Sequence, residues 1–130
     1  MRVIVGDSSY FVALADSKDR WHRDALRVKA SVPQDFLVND LVVAEAVTIV
    51  GARRGGRPAQ VLYQYFMDEC EVEFLEEVLL REAMGHHLLY DGNLSVADCV
   101  SIALMTRHGI RKILSFDRDF DRVRGIERVC

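Results

Sequence analysis

Four carboxylates stand out for the company they keep. Asp7 follows directly on the apolar run Val3-Ile4-Val5 and precedes two hydroxyls, Ser8 and Ser9; Asp117 closes Ile113-Leu114-Ser115-Phe116 in the same way. Glu45 shares a helical face with Leu41, Ile49 and Ala52, and Asp98 lies on the side of its helix that carries Leu94, Ser101, Ile102 and Met105. A carboxylate inside an apolar stripe needs a partner. Each acid has an ordinary explanation. Asp7 suits a turn or an N-cap, Glu45 a buried Arg or backbone amides, Asp98 the capping box Ser95-x-x-Asp98, and Asp117 an Asx turn into Asp119-Phe120-Asp121. Together, however, they fall on strand ends or inward helix faces, which predicts one acidic, metal-binding pocket. Hard oxygen ligands with no inward His or Cys select Mg²⁺ or Mn²⁺ over zinc. Such ions offset phosphate charge and generate hydroxide near neutral pH. The chemistry this set fits is therefore hydrolysis of a phosphodiester, leaving a 5′-phosphate and a 3′-hydroxyl.

The elements that must hold these acids are readable from periodicity and breakers. Short apolar runs at 3–5, 36–38, 72–75 and 112–116 predict strands, and 126–129 adds a last edge strand. Val3, Ile4 and Val5 lack alternation, the pattern of a central strand covered on both faces. Between the strands lie predicted helices at 10–15, 21–30, 41–52, 58–68, 76–90 and 94–105. Ser8 or Ser9 is expected to cap the first, Asn39-Asp40 the third and Ser95 the last. Trp21, Ala25 and Val28 form the apolar side of the second, which Pro33 breaks, and Gly109 ends the last. Strands alternating with helices predict a three-layer α/β/α sandwich around a mostly parallel sheet. Ligands of such sheets sit beyond the carboxyl ends of the strands, where Asp7 falls.

At 130 residues and half apolar, the chain is read as a single domain over 1–130 that needs no disulfide to fold. Cys70, Cys99 and Cys130 are odd in number and lack zinc-site spacing. The opening apolar run is too short for a signal peptide and no later run is long and uncharged enough to span a bilayer, so a cytoplasmic location without membrane contact is expected. A net charge of −3 argues against indiscriminate binding to nucleic acid, while local basic clusters remain at Arg20/Arg23/Arg27/Lys29, Arg53/Arg54/Arg57 and Arg118/Arg122/Arg124/Arg128. The glycines around Arg53 and Arg54 lack the Lys-Ser/Thr of a phosphate loop. His86 and His87 point apart on a helix and do not chelate one ion.

With those residues assembled, the chain resembles, almost end to end, a PIN-domain ribonuclease, specifically a small VapC-type toxin of prokaryotic toxin–antitoxin pairs. The resemblance is carried by Asp7-Ser8-Ser9-Tyr10-Phe11-Val12-Ala13-Leu14, Val43-Ala44-Glu45, Leu94-Ser95-Val96-Ala97-Asp98 and Leu114-Ser115-Phe116-Asp117-Arg118-Asp119-Phe120. It implies that Asp7, Glu45, Asp98 and Asp117 hold Mg²⁺ or Mn²⁺ for cleavage of RNA, with Ser9 and Ser115 as polar support. It also implies a homodimer bound to a small antitoxin, from which a basic side chain enters the acidic pocket. Arg53, Arg54 and Arg57, just beyond the helix of Glu45, are candidate guides for the RNA backbone. Two residues depart from the family pattern: Gly6 stands for a bulky apolar residue and Ser115 for the commoner Thr, and neither removes a ligand. A haloacid-type phosphatase would want a second acid where Ser9 stands, and a receiver domain a phosphoacceptor Asp after its third strand. The alternative from another class is a catalytically silent module that binds RNA or a partner, which a metal-dependent nuclease assay separates.

Overall fold

The computed structural model describes residues 3–32 and 35–130. Within them Val3–Gly6 (β1), Asp35–Asn39 (β2), Glu71–Glu73 (β3), Lys112–Leu114 (β4) and Glu127–Val129 (β5) form one sheet in the order β3-β2-β1-β4-β5. Every pairing is parallel, so the sheet is more uniform than the mostly parallel one expected. β1 lies at its centre, with Val5 opposite Leu37 on one side and Ile113 on the other. Parallel neighbours require crossovers. The helices Ser8–Ala15 (α1), His22–Ser31 (α2), Asp40–Arg54 (α3), Gly56–Glu69 (α4), Glu77–Leu89 (α5) and Val96–His108 (α6) supply them.

Successive strand residues point to opposite faces. Ile4, Phe36 and Leu114 accordingly pack with Tyr10, Phe11, Val42 and Phe66 on the α1–α4 side. Val5, Leu37 and Ile113 pack with Leu79, Val100 and Leu104 from α5 and α6. Both faces are dry, and the architecture is the three-layer sandwich that the unbroken apolar runs implied.

Several boundaries move for identifiable reasons. Neither Ser8 nor Ser9 caps α1: the cap is Asp7, whose carboxylate accepts from the Ser9 amide at 3.4 Å. Trp21 stands one position before α2, and its ring packs against the same core as buried Ala25 and Val28, as expected. α3 continues to Arg54 and stops at Gly55, whose φ of 94° suits glycine. β3 ends early because the Leu75 amide donates to Asp40 instead of to a strand, at 3.0 Å. β4 ends at Leu114, although the Ser115 amide still donates to the Val129 carbonyl at 3.1 Å. The break expected at Pro33 lies outside the described residues.

Gly6 has a steric reason. A Cβ there would lie 2.5 Å from two ring carbons of Phe11, and that ring packs edge-on against Phe36 and Phe66 at centroid distances of 5.3 and 4.7 Å. The space of the family's bulky residue is filled from α1. Among the described residues no helix is long and apolar enough to cross a membrane.

Candidate active site

The four acids meet at the carboxyl edge of the sheet. Asp7 ends β1, Asp117 lies beyond β4, Asp98 is in the first turn of α6, and Glu45 is in the second turn of α3. All four line one cavity of about 430 Å³, together with Ser8, Ser9, Arg20, Trp21, Arg53 and Ser95. No His or Cys lines it.

Asp7 is buried and its hydrogen bonds are one-sided. Its Oδ2 accepts from the Ser115 hydroxyl at 2.7 Å, the Ser9 hydroxyl at 2.9 Å and the Ser9 amide at 3.4 Å. The two hydroxyls are themselves held: Ser9 Oγ accepts from the Phe116 amide at 3.0 Å, and Ser115 Oγ from the Asp117 amide at 2.9 Å. Ser9 and Ser115 thus hold the Asp7 carboxylate and tie the ends of β1 and β4 together. Asp117 makes the Asx turn read from the sequence, accepting from the Asp119 amide at 2.9 Å. Its structural and site positions are the same position.

Asp98 points inward, and Ser95 caps its helix by accepting from the Asp98 amide at 3.1 Å. Burial pushes the Asp98 carboxyl up to about 7, and the charges of Asp7, then Asp117 and Glu45, push the same way against a hydrogen bond from Ser95. Burial likewise raises Asp7, against its hydroxyl partners. Three other carboxylates therefore act electrostatically on Asp98.

Glu45 corrects the sequence reading. The buried stripe of α3 is Val42, Val43, Ala46 and Val50. Glu45 is exposed at the edge of that stripe, where it accepts a short hydrogen bond from the Ser8 hydroxyl. The expected buried partner is unnecessary because the carboxylate faces the open cavity.

The arginines divide. Arg53 lines the cavity and pairs with Asp19 at 2.9 Å and Asp16 at 3.3 Å. Arg54 is held by buried Asp16 at 2.8 Å, and neither it nor exposed Arg57 lines the cavity. Sequence reasoning missed Asn39 as a positioning residue. Fully buried, it accepts from the Val42 amide at 2.9 Å and donates to Ser101 Oγ at 3.0 Å and the Ala97 carbonyl at 3.3 Å, fixing the helix of Glu45 against the helix of Asp98. The capping position of Asn39 was legible; its reach to α6 was not. His87, set aside as a ligand, bonds the Leu94 carbonyl at 2.8 Å.

The donor set is all oxygen and carries mutual repulsion that a cation relieves, so its chemistry fits a hard divalent ion. In the present side-chain arrangement no three such groups among the described residues are drawn together closely enough to hold one. Three of the acids are instead engaged locally, Glu45 by Ser8, Asp7 by the hydroxyls and Asp117 by backbone.

Fold and site define an open parallel α/β domain whose functional edge is a cluster of carboxylates. The chain belongs to the PIN-domain family, whose model matches residues 4–126. It is 28% identical over 127 residues to the 23S rRNA-specific endonuclease VapC20 of Mycobacterium tuberculosis, covering 96% of this chain and 97% of that one. The crystal structure of that sarcin–ricin loop cleaving toxin superimposes with a TM-score of 0.87 over 95% of this chain and 97% of the other, at 28% identity. A toxin–antitoxin complex from Klebsiella pneumoniae shares the fold, with a TM-score of 0.72 at 12% identity and 95% of each chain covered.

Proposed function

We propose that this chain is a divalent-metal-dependent endoribonuclease and the toxin of a toxin–antitoxin pair. The observation that carries the reading is the single cavity lined by Asp7, Glu45, Asp98 and Asp117, in a PIN-family chain similar over nearly its whole length to an rRNA endonuclease. A bound Mg²⁺ or Mn²⁺ would offset the phosphate charge and supply hydroxide near neutral pH. The four acids are the residues that would hold it. Asp7 is suited to this because the Ser9 and Ser115 hydroxyls both donate to Oδ2, which fixes the carboxyl group at the cavity wall. Asp98 is the acid that must lose its proton as the site fills, since its carboxyl is raised to about 7. Ser9 and Ser115 orient Asp7, and Asn39 orients the two helices. Arg53, at the cavity wall, supplies positive charge to the RNA backbone; Arg54 serves Asp16 instead.

The toxin–antitoxin complex that shares the fold supports a small antitoxin as partner; a second copy of the chain and a cytoplasmic setting follow from the family resemblance alone. Apolar side chains left exposed, among them Tyr63, Met67, Phe74, Leu88 and Leu89, give such contacts surface to cover. Cleavage of a ribosomal-loop RNA by the purified chain with Mn²⁺, abolished by EDTA and by Asp7→Asn, is the expected result. EDTA-resistant cleavage, or full activity in Asp7→Asn, refutes the assignment.

A further inference from the structure

A second cavity, about 450 Å³, opens beside the first and is lined by Arg20, Trp21, Phe116, Asp117 and Arg118. The two cavities share Arg20, Trp21 and Asp117, so an occupant of the second lies against an acid of the first. Its aromatic wall is a stacked pair: the Trp21 and Phe116 rings lie face to face, parallel to within 4° with centroids 5.2 Å apart, and both also pack against the core beneath. At that separation parallel rings are offset, and neither covers the whole face of the other. Both side chains are half-buried. Arg20 lays its guanidinium over Trp21, with Cζ 4.6 Å from the ring centroid, in place of pairing with a carboxylate. Arg118 is exposed on the other side, at the start of the turn Arg118–Arg122.

We propose that this second cavity is a nucleobase subsite, in which the base next to the scissile phosphate stacks against the ring face that the Trp21–Phe116 pair leaves uncovered while Arg20 and Arg118 hold the flanking phosphates. The inference rests on the RNA-cleaving reading and adds to it how the strand is gripped. An aromatic pair alone would be core packing. Here it is a cavity wall framed by two guanidinium groups, and planar π-faces between cations are what single-stranded RNA needs. The chain also needs such a grip, because a net charge of −3 and four clustered acids repel the phosphate backbone. Of the two arginines at the first cavity, Arg53 is tied to Asp16 and Asp19, and Arg20 lines the second cavity as well. Stacking accepts any base, so the subsite orders the strand without choosing its sequence.

Trp21 is the only tryptophan in the chain, so its emission reports on the platform directly. The full chain, in EDTA, is titrated with an adenosine octamer and with an abasic ribose-phosphate octamer. The expected result is saturable quenching by the first and binding of the second that is weaker by roughly 5- to 150-fold. Trp21→Phe keeps that discrimination, and Trp21→Leu, followed by anisotropy of labelled octamers, loses it; a residue that merely packs would weaken both octamers alike. Arg20→Ala and Arg118→Ala should weaken both octamers equally and flatten the salt dependence of binding. Unchanged emission on binding, or equal affinity for the two octamers, overturns the base subsite. An unaltered salt slope in both arginine variants overturns the phosphate grip. Cleavage assayed in parallel with Mn²⁺ keeps the two readings apart: cutting without quenching removes the subsite and leaves the nuclease, whereas quenching without cutting removes the nuclease and leaves an RNA-binding platform.

Discussion

Replacing Asp98 with Asn keeps the size of the side chain and the bond from its amide to Ser95, and removes only a charge. The carboxyl is raised from an ordinary 3.8 to about 7, chiefly by burial and then by Asp7. That interval corresponds to about 4 kcal/mol. The folded chain holds this proton more tightly than the unfolded chain. The contribution to stability is therefore fully present below about pH 4 and is lost as pH rises to about 7. Asp7, raised in the same direction, adds to the loss. Asn is neutral throughout and escapes it. Against this, a carboxylate in the first turn of a helix is worth about 0.3–1 kcal/mol. In EDTA at about pH 8, Asp98→Asn should thus be more stable than wild type by roughly 3 kcal/mol, or on the order of 10 °C in Tm. The gap should close toward about pH 4. Excess Mn²⁺ should raise the wild-type Tm, by about 2.7 kcal/mol of stability at a hundredfold excess over Kd, and the variant's by less. Thermal melts at both pH values, with EDTA and with Mn²⁺, measure all of this. A variant less stable than wild type at the higher pH in EDTA would make Asp98 a capping residue and refute the reasoning.

Other perturbations test separate parts of the structure. Gly6→Ala drives a methyl group into the Phe11 ring, which should cost about 1–3 kcal/mol in urea melts, with Phe11→Leu in the same chain restoring part of it; an unchanged midpoint would contradict the contact. Arg54→Ala leaves buried Asp16 short of its best partner and should cost about 1–3 kcal/mol. Arg57→Ala should stay within about 0.5 kcal/mol, so equal effects would show that Arg54 is not anchoring Asp16. Asn39→Ala should slow cleavage along with its loss of stability, because it frees α3 from α6; Asn39→Asp, which keeps the cap, should retain helix content but not activity, and full activity there would remove its positioning role.

Much of this was legible because it rests on local rules. The unbroken apolar run before Asp7, the cap at Ser95 and the left-handed Gly109 each follow from neighbours in sequence, and the structure has them where periodicity and turn chemistry put them. Asp98 was read correctly as inward because its helix face is fixed by spacing. Glu45 was misread by the same logic: Leu41, Ile49 and Ala52 do share its face, but the core chose the stripe of Val42, Ala46 and Val50 one position round. Periodicity finds an apolar face; it does not say which of two adjacent faces the sheet will cover. The platform of Trp21 and Phe116 and the reach of Asn39 to Ser101 were invisible for another reason. They join residues far apart in the chain, and their alignment depends on strand order, which no local pattern encodes.

The energetics of the pocket bear on what it is for. A domain of this size is stable by about 5–15 kcal/mol, so a carboxyl whose ionisation works against folding by about 4 kcal/mol takes a large share of the total. Three of the acids in the cavity have an uncharged near-isostere that would still cap or turn the chain: Asn at 7 and 117 accepts from the same amides, and Asn at 98 leaves the Ser95 cap untouched. If these residues served only local structure, the charges of Asp7 and Asp98 would cost more through burial than the about 0.3–1 kcal/mol that a helix N-terminus returns. They are useful where something positive offsets them, and the hydroxyls that hold Asp7 do not do so, since they carry no positive charge and both donate to Oδ2. Strain that local structure does not require is the mark of a site built around its ligand. Four oxygen donors at the carboxyl edge of a parallel sheet have the chemistry of a site for a hard cation, which is the reading proposed above.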